Sequence, residues 1–520
     1  MTTTTAAVVG STAAATAATP EAVYPNPLIP GFYPDPSVLK VGTDYYIANS
    51  TFEYLPGVPV FHSTDLVTWS LVGHVVERPG QLDSTDIPTN GGAWAPTIRY
   101  REGTFYVVIT DAMGRGMLIF TASDPAGPWS DGTVIDGIHG IDPDLAWDEN
   151  GVAHITYSGL DTTSDERMTG GHKGILQFTV DLETGKPLSE PISLWSGTGL
   201  KFPEAPHIYF HDGYWYLMIA EGGTERGHGI SVARGPSASG PFESGPGNPV
   251  VSARSTARPI QNTGHGDLVE TPDGGWAVVM LGMRPTGGTQ AFAALGRETF
   301  ITPARWVDGW LQIDPVILAP RSGDAAFVDD FDGDKLLPDW IAIRRYPAEV
   351  STLADGRLVL HGDGSTLDDQ HPVFLGYRQQ HQQMESCVIV DVGEDGRGGL
   401  SVRFDELHHY EIEVGDGNVT ARASVATIRQ EWTVPAPAGP VTLHLDCVPP
   451  RVESFLDMFT CDMVVLSYST EGSAKTEVAR IDGRYLSQET AASFTGRVLG
   501  LYAVIGNVSF AHFSYNGREA

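Results

Sequence analysis

Cysteine is scarce. The chain of 520 residues has three, Cys387, Cys447 and Cys461, all in its last third. So few, and an odd number, argue against a disulfide framework and read as buried free thiols in a reducing compartment. Basic residues are scarce too: 32 Lys and Arg stand against 64 Asp and Glu, a formal charge of −32. Such a surface repels polyanions, so no nucleic-acid partner is expected. No apolar run approaches the ~18 residues of a membrane span, so no membrane partner is expected either. Residues 1–22 are rich in Thr and Ala, and no Lys or Arg precedes Lys40. They lack the basic and apolar regions of a secretory signal and read as a disordered tail on a cytoplasmic protein. Long helices are not expected, because 60 Gly and 36 Pro, without the three-residue period of collagen, supply turns for many short strands.

What is present is a repeat. Strand, turn, stronger strand recurs five times: DPSVLKVGTDYYIANS from Asp35, WAPTIRYREGTFYVVIT from Trp94, DPDLAWDENGVAHITYS from Asp142, EAPHIYFHDGYWYLMIA from Glu204 and HGDLVETPDGGWAVVML from His265. Each reads as a hairpin by turn chemistry and pattern. A further strand-like stretch follows each one, which makes four short strands per unit and predicts a five-bladed β-propeller over residues 23–318. In each unit the opening residue lies nine positions before the residue taken as its turn: Asp44, Gly103, Gly151, Gly213 and Gly274. Equal offsets predict that Asp35, Trp94, Asp142, Glu204 and His265 ring one axis at one depth.

Three of those five are carboxylates. Like charges gathered near a low-dielectric centre raise each other's pKa, so such a ring is seldom built for stability. It suits glycoside hydrolysis, in which an ionised carboxylate deprotonates a water and a protonated one delivers a proton to the leaving oxygen. A third can raise the acid's pKa and orient it. A ring of blades that holds the groups apart fits inversion, for which carboxyls roughly 6.5–9.5 Å apart leave room for the water.

The stretches NPLIPGFYPDPSV, STFEYLPGVPVFHSTDLVTW, GGAWAPTIRY, GIDPDLAWDENG, FPEAPHIY, AEGGTERGHG, TGHGDLVETPDGGW, GMRP and GRETF resemble glycoside hydrolase family 43. They most resemble its β-xylosidases with a C-terminal β-sandwich, from about Asn26 to about Asn516. The resemblance implies a five-bladed propeller and an inverting mechanism. It implies Asp35 as general base, Asp142 as pKa modulator and orienting carboxylate, and Glu204 as general acid. It implies that Trp94 walls the bound pentose, that Arg284 of GMRP contacts the sugar, and that His228 of ERGHG helps line the pocket. It matches His265 to a histidine at the channel centre, where relatives hold a calcium ion or a water cluster, although a lone His is weak support for a ligand. The chemistry itself needs no cofactor. Arg115 has no family counterpart and is expected near the mouth. Family relatives are often dimers or tetramers, so a homo-oligomer is expected.

Beyond a Pro-, Ser-, Gly- and Asp-rich linker at 319–326 the propeller pattern stops. About a dozen irregularly spaced strands over residues 327–520 predict a two-sheet sandwich, which resembles the family's concanavalin-like jelly roll. The fold class is therefore all-β. The resemblance implies that this domain helps close the pocket, and hence exo action on xylo-oligosaccharides. An α-L-arabinofuranosidase, or an enzyme with both activities, is the near alternative, because xylopyranose and arabinofuranose can place similar atoms in one pocket. A non-catalytic carbohydrate-binding protein and an interaction propeller are the alternatives from other classes.

Overall fold

Period-two alternation of β-branched and aromatic residues gives strands with two usable faces, and each blade sheet buries both. The computed structural model describes residues 24–160, 171–321, 323, 325–393 and 395–519. The tail expected at 1–22 lies outside the described residues. Five antiparallel sheets follow in order, with first strands Ser37–Val41, Gly92–Arg101, Gly140–Trp147, Glu204–His211 and Gln261–Glu270. In each the strands pair in chain order and the first is innermost. The cores lie between blades: Tyr45 and Ile47 of the first blade pack against Val279 and Ile301 of the fifth, and Ile98 and Val107 of the second meet Val60 and Val75 of the first. An N-terminal strap closes the ring, with Asn26 bridging Ala319 and Ile29 bridging Thr299.

The expected linker is shorter than 319–326. Ala319 is still paired to the propeller, and Ala325–Asp329 already forms a strand of the second domain. That domain is a nearly closed sandwich knit by one 21-residue strand, Val498–Arg518. This strand pairs with Val373–Arg378, Arg357–Asp363 and Ala325–Asp329 on one side, and with Arg397–Arg403 and Gln383–Val392 on the other. The five-bladed propeller and the sandwich are thus both present. No helix among the described residues is long and apolar enough to cross a membrane.

The two domains share structure. Tyr54–Leu55 of the first blade pairs with Ala342–Ile343 of the second domain. Phe374, Val498 and Tyr502, on the sandwich sheet, bury themselves against Phe32, Phe52 and Tyr54 of the propeller. Fully buried aromatic area of this kind removes each side chain from water at roughly 25 cal/mol per Å², so the domains are not loosely tethered. All three cysteines are free.

Candidate active site

Each first strand carries the same distortion at its inner end. Asp35, Ala95, Asp142, Ala205 and His265 have φ of 53°, 41°, 56°, 48° and 49°. The pairing register shifts across this point in the second to fifth blades. Left-handed backbone costs a non-glycine residue on the order of 1–2 kcal/mol and is found where surrounding structure enforces it, often at functional sites. This corrects the register expected from sequence. The two-residue turns place Asp44, Thr104 and Tyr214 at equivalent strand starts. Asp35, Asp142 and His265 are therefore equivalent, whereas Trp94 and Glu204 each sit one residue before the distorted position. All five still line one pocket of about 410 Å³.

The three carboxylates in this pocket differ in environment. Asp35 is buried; its Oδ2 accepts from Ser50 Oγ at 2.7 Å and its Oδ1 from Arg297 Nη1 at 2.9 Å. Burial pushes its pKa up, but Arg297, His265 and the Ser50 bond outweigh that and hold it below the usual range. Ser50 Oγ also accepts the Ala95 N–H at 2.6 Å, so the Asp35 carboxylate is fixed by a neighbouring blade. Asp142 is buried and accepts the Ala205 N–H on Oδ2 at 3.1 Å. Burial, then the Asp35 charge, raises it to about 7. Glu204, the residue before Ala205, keeps one edge open to the pocket. Burial, then Asp142 and Asp35, holds it well above the usual carboxylate range. The surroundings thus favour the ionised form of Asp35 and the protonated form of Glu204, the division of labour that acid–base catalysis requires.

Aromatic rings enclose the rest. Trp94 lines the pocket as expected, with its ring at 5.6 Å and 86° to Phe494 and at 6.2 Å to Phe52. Phe494 comes from the second domain, so the sandwich supplies one wall. Arg297 lies over both phenylalanine rings and donates to the Phe494 carbonyl from Nε and Nη2 at 3.3 and 3.2 Å. His172, Phe202, Thr224 and Glu225 complete the opposite side.

Other expected residues lie elsewhere. Arg284 does not line this pocket; its guanidinium forks onto Glu298 at 2.8 and 2.9 Å and reaches Glu519 of the second domain at 2.5 Å. It is an interdomain ion pair, and the arginine in the pocket is Arg297. His228 lies behind the pocket wall and does not line it. Its Nδ1 donates to the Asn262 carbonyl, and its ring packs on Gly264, where a Cβ would come within 2.5 Å. Arg115 is at neither mouth nor pocket. It donates to the carbonyls of Gly80, Gln81, Asp131 and Gly132 and pins loops together.

His265 lines the pocket, 3.6 Å from Asp35. Burial lowers its pKa to about 3, so its ring is neutral. No group of three or more His, Cys, Asp or Glu side chains gathers for a metal among the described residues. Further along the channel Arg99 meets four residues that each lie two positions beyond the distorted point of their own strand. Arg99 reaches Asp267 at 3.0 Å, Ser37 at 3.1 Å, Asp144 at 2.7 Å and His207 at 2.9 Å, joining all five blades.

Sequence reasoning missed Arg297, Phe52 and Phe494 as site residues. Arg297 and Phe52 stand inside the GRETF and STFEYLPG stretches that carried the resemblance, which was the available signal. Phe494 follows a short helix, Gln488–Ala491, in a segment with no motif to mark it.

Comparison with known proteins agrees with this architecture. The family described as Glycosyl hydrolases family 43 matches residues 24–311, and the Beta xylosidase C-terminal Concanavalin A-like domain matches 328–516. A xylosidase/arabinosidase of Butyrivibrio fibrisolvens is 39% identical, covering 92% of this chain and 95% of the relative. A non-reducing end alpha-L-arabinofuranosidase of Bacteroides ovatus is 33% identical, covering 92% and 91%. The crystal structure of a xylan beta-1,4-xylosidase of Bacillus halodurans superposes with a TM-score of 0.84 at 29% identity, covering 95% of this chain and 99% of that one.

Proposed function

Because the chain belongs to glycosyl hydrolase family 43, we propose that it is an inverting exo-glycosidase that releases xylose from the non-reducing end of β-1,4-xylo-oligosaccharides. The observation that carries this reading is the pairing, within one aromatic-walled pocket, of Asp35 bound to Arg297 with a partly buried Glu204 that no cation among the described residues contacts as closely, which lowers the first carboxyl and raises the second. Asp35, ionised, takes a proton from a water whose oxygen bonds to the anomeric carbon. The glycosidic C–O bond breaks, and Glu204 gives its proton to the departing sugar oxygen. Product therefore leaves with inverted configuration, and the two carboxyls reset by exchange with solvent. Asp142 holds the Ala205 N–H beside Glu204 and keeps the acid protonated through its charge. Trp94, Phe52 and Phe494 offer faces to the C–H sides of a pentose, and Arg297 offers its remaining N–H edge to hydroxyls. A wall supplied by a second domain favours a chain end over a chain interior.

Removal of α-L-arabinofuranose is the second reading, supported by relatives named for that activity. Rates on nitrophenyl xyloside and nitrophenyl arabinofuranoside, measured side by side, separate the two. NMR of the product anomer from xylobiose tests the mechanism: α-xylose appearing first supports inversion, and β-xylose first refutes it. The carbohydrate-binding alternative predicts that Glu204→Gln changes nothing measurable.

A further inference from the structure

Both aromatic walls of the pocket are fastened to one residue that does not line it. Asn90 lies in the loop before the first strand of the second blade. Its carbonyl accepts the Trp94 Nε1–H at 2.7 Å. Its side-chain Oδ1 accepts two hydrogen bonds from the sandwich domain, from Ser493 Oγ and from the Phe494 N–H, each at 2.9 Å. Its own N–H donates to Glu53 Oε2 at 3.0 Å. The main chain and the side-chain amide of this one residue thus touch the propeller wall, the sandwich wall and the Glu53 carboxyl group.

The surrounding loop is held from the second domain as well. Arg344 donates to the Ile87 carbonyl at 2.7 Å and to Thr89 Oγ1 at 3.1 Å, and its main-chain N–H donates to the Glu53 carbonyl at 2.8 Å. Thr89 in turn donates to Glu406 at 2.5 Å. Asn90 itself has φ of 67°, a left-handed conformation that asparagine tolerates better than other side-chain-bearing residues. A glycine could keep that backbone but would leave the Ser493 and Phe494 donors without their acceptor.

We propose that Asn90 is a positioning residue that fixes the gap between Trp94 and Phe494, and so sets how tightly the site grips its terminal sugar. The proposal rests on the glycosidase reading above. Asn90 touches none of the three carboxylates, so it acts on ground-state binding and leaves proton transfer alone. Losing two hydrogen bonds to a wall costs about tenfold in grip.

The test is a pair of variants, Asn90→Gly and Asn90→Asp, assayed on nitrophenyl xyloside and nitrophenyl arabinofuranoside with free xylose as inhibitor. Asn90→Gly is expected to raise KM and the xylose inhibition constant together, each about tenfold, with kcat within about threefold and the pH limbs unmoved. Asn90→Asp keeps an acceptor at Oδ1 and is expected to restore both constants to within about threefold. A merely structural role would instead lower the thermal midpoint of Asn90→Gly and leave KM and the inhibition constant of the folded enzyme unchanged, which would overturn the proposal. Equal losses in Asn90→Gly and Asn90→Asp would overturn it too. If the unaltered protein cleaves neither glycoside and binds no xylose by calorimetry, the glycosidase reading fails first, and the proposal with it.

Discussion

Arg297 donates to Asp35 across 2.9 Å and, with His265 and Ser50, holds this carboxyl below the usual range while burial raises its two neighbours. Burial raises all three. The guanidinium sits beside one of them, and the other two are left to feel that one's charge.

Replacing Arg297 by Met should therefore raise the pKa of Asp35. The acidic limb of kcat/KM marks protonation of the base, so it should move to higher pH, with activity lost at pH values where the unaltered enzyme still works. A pH–rate profile on nitrophenyl xyloside reads this directly. An unmoved acidic limb would show that Arg297 does not govern the base.

Asp142→Asn should act on the other limb. Its negative charge raises Glu204, so its removal lets Glu204 ionise at lower pH, and the alkaline limb of kcat/KM should shift downward.

Glu204→Gln should cost roughly 10²–10⁴-fold in kcat on xylobiose, the usual worth of a general acid. The loss should be smaller on nitrophenyl xyloside, whose leaving group needs little protonation. Equal losses on both substrates would point away from Glu204 as proton donor.

Arg99→Met should destabilise the propeller by about 3–5 kcal/mol, because it leaves Asp144 and Asp267 buried without their partner. Asp267 is buried, which raises its pKa, yet Arg99 brings it well below the usual range. Its stabilising contribution is thus full above the unfolded carboxylate value of about 3.9 and fades as pH falls below it. Urea unfolding at pH 7 and at pH 3 should show a larger difference between Arg99→Met and the unaltered protein at pH 7.

Much of this was legible in the sequence, for reasons that differ by residue. The hairpins were readable because alternation and turn residues are local properties. Asp35, Asp142 and Glu204 were findable because the repeat brings equivalent strand ends together, though the register was one residue off at Trp94 and Glu204. The error arose because the turn used for the count in the first blade, Asp44, already begins its second strand. Arg284 was misread because a motif gives proximity in sequence, while its guanidinium meets Glu298 and Glu519, the latter 235 positions away. Phe494 was beyond reach: its place beside Trp94 depends on how two domains dock, and no local pattern encodes that.

The sandwich wall also bears on how such enzymes diversify. Phe494 is held by Asn90, 404 positions upstream, and by Arg297. A recombination event that exchanged the C-terminal half between two relatives would trade away part of the sugar's own berth. Chimeras joined near residue 320 should therefore inherit their selectivity from both parents, which makes the junction a place to breed new preferences without touching an acid or a base.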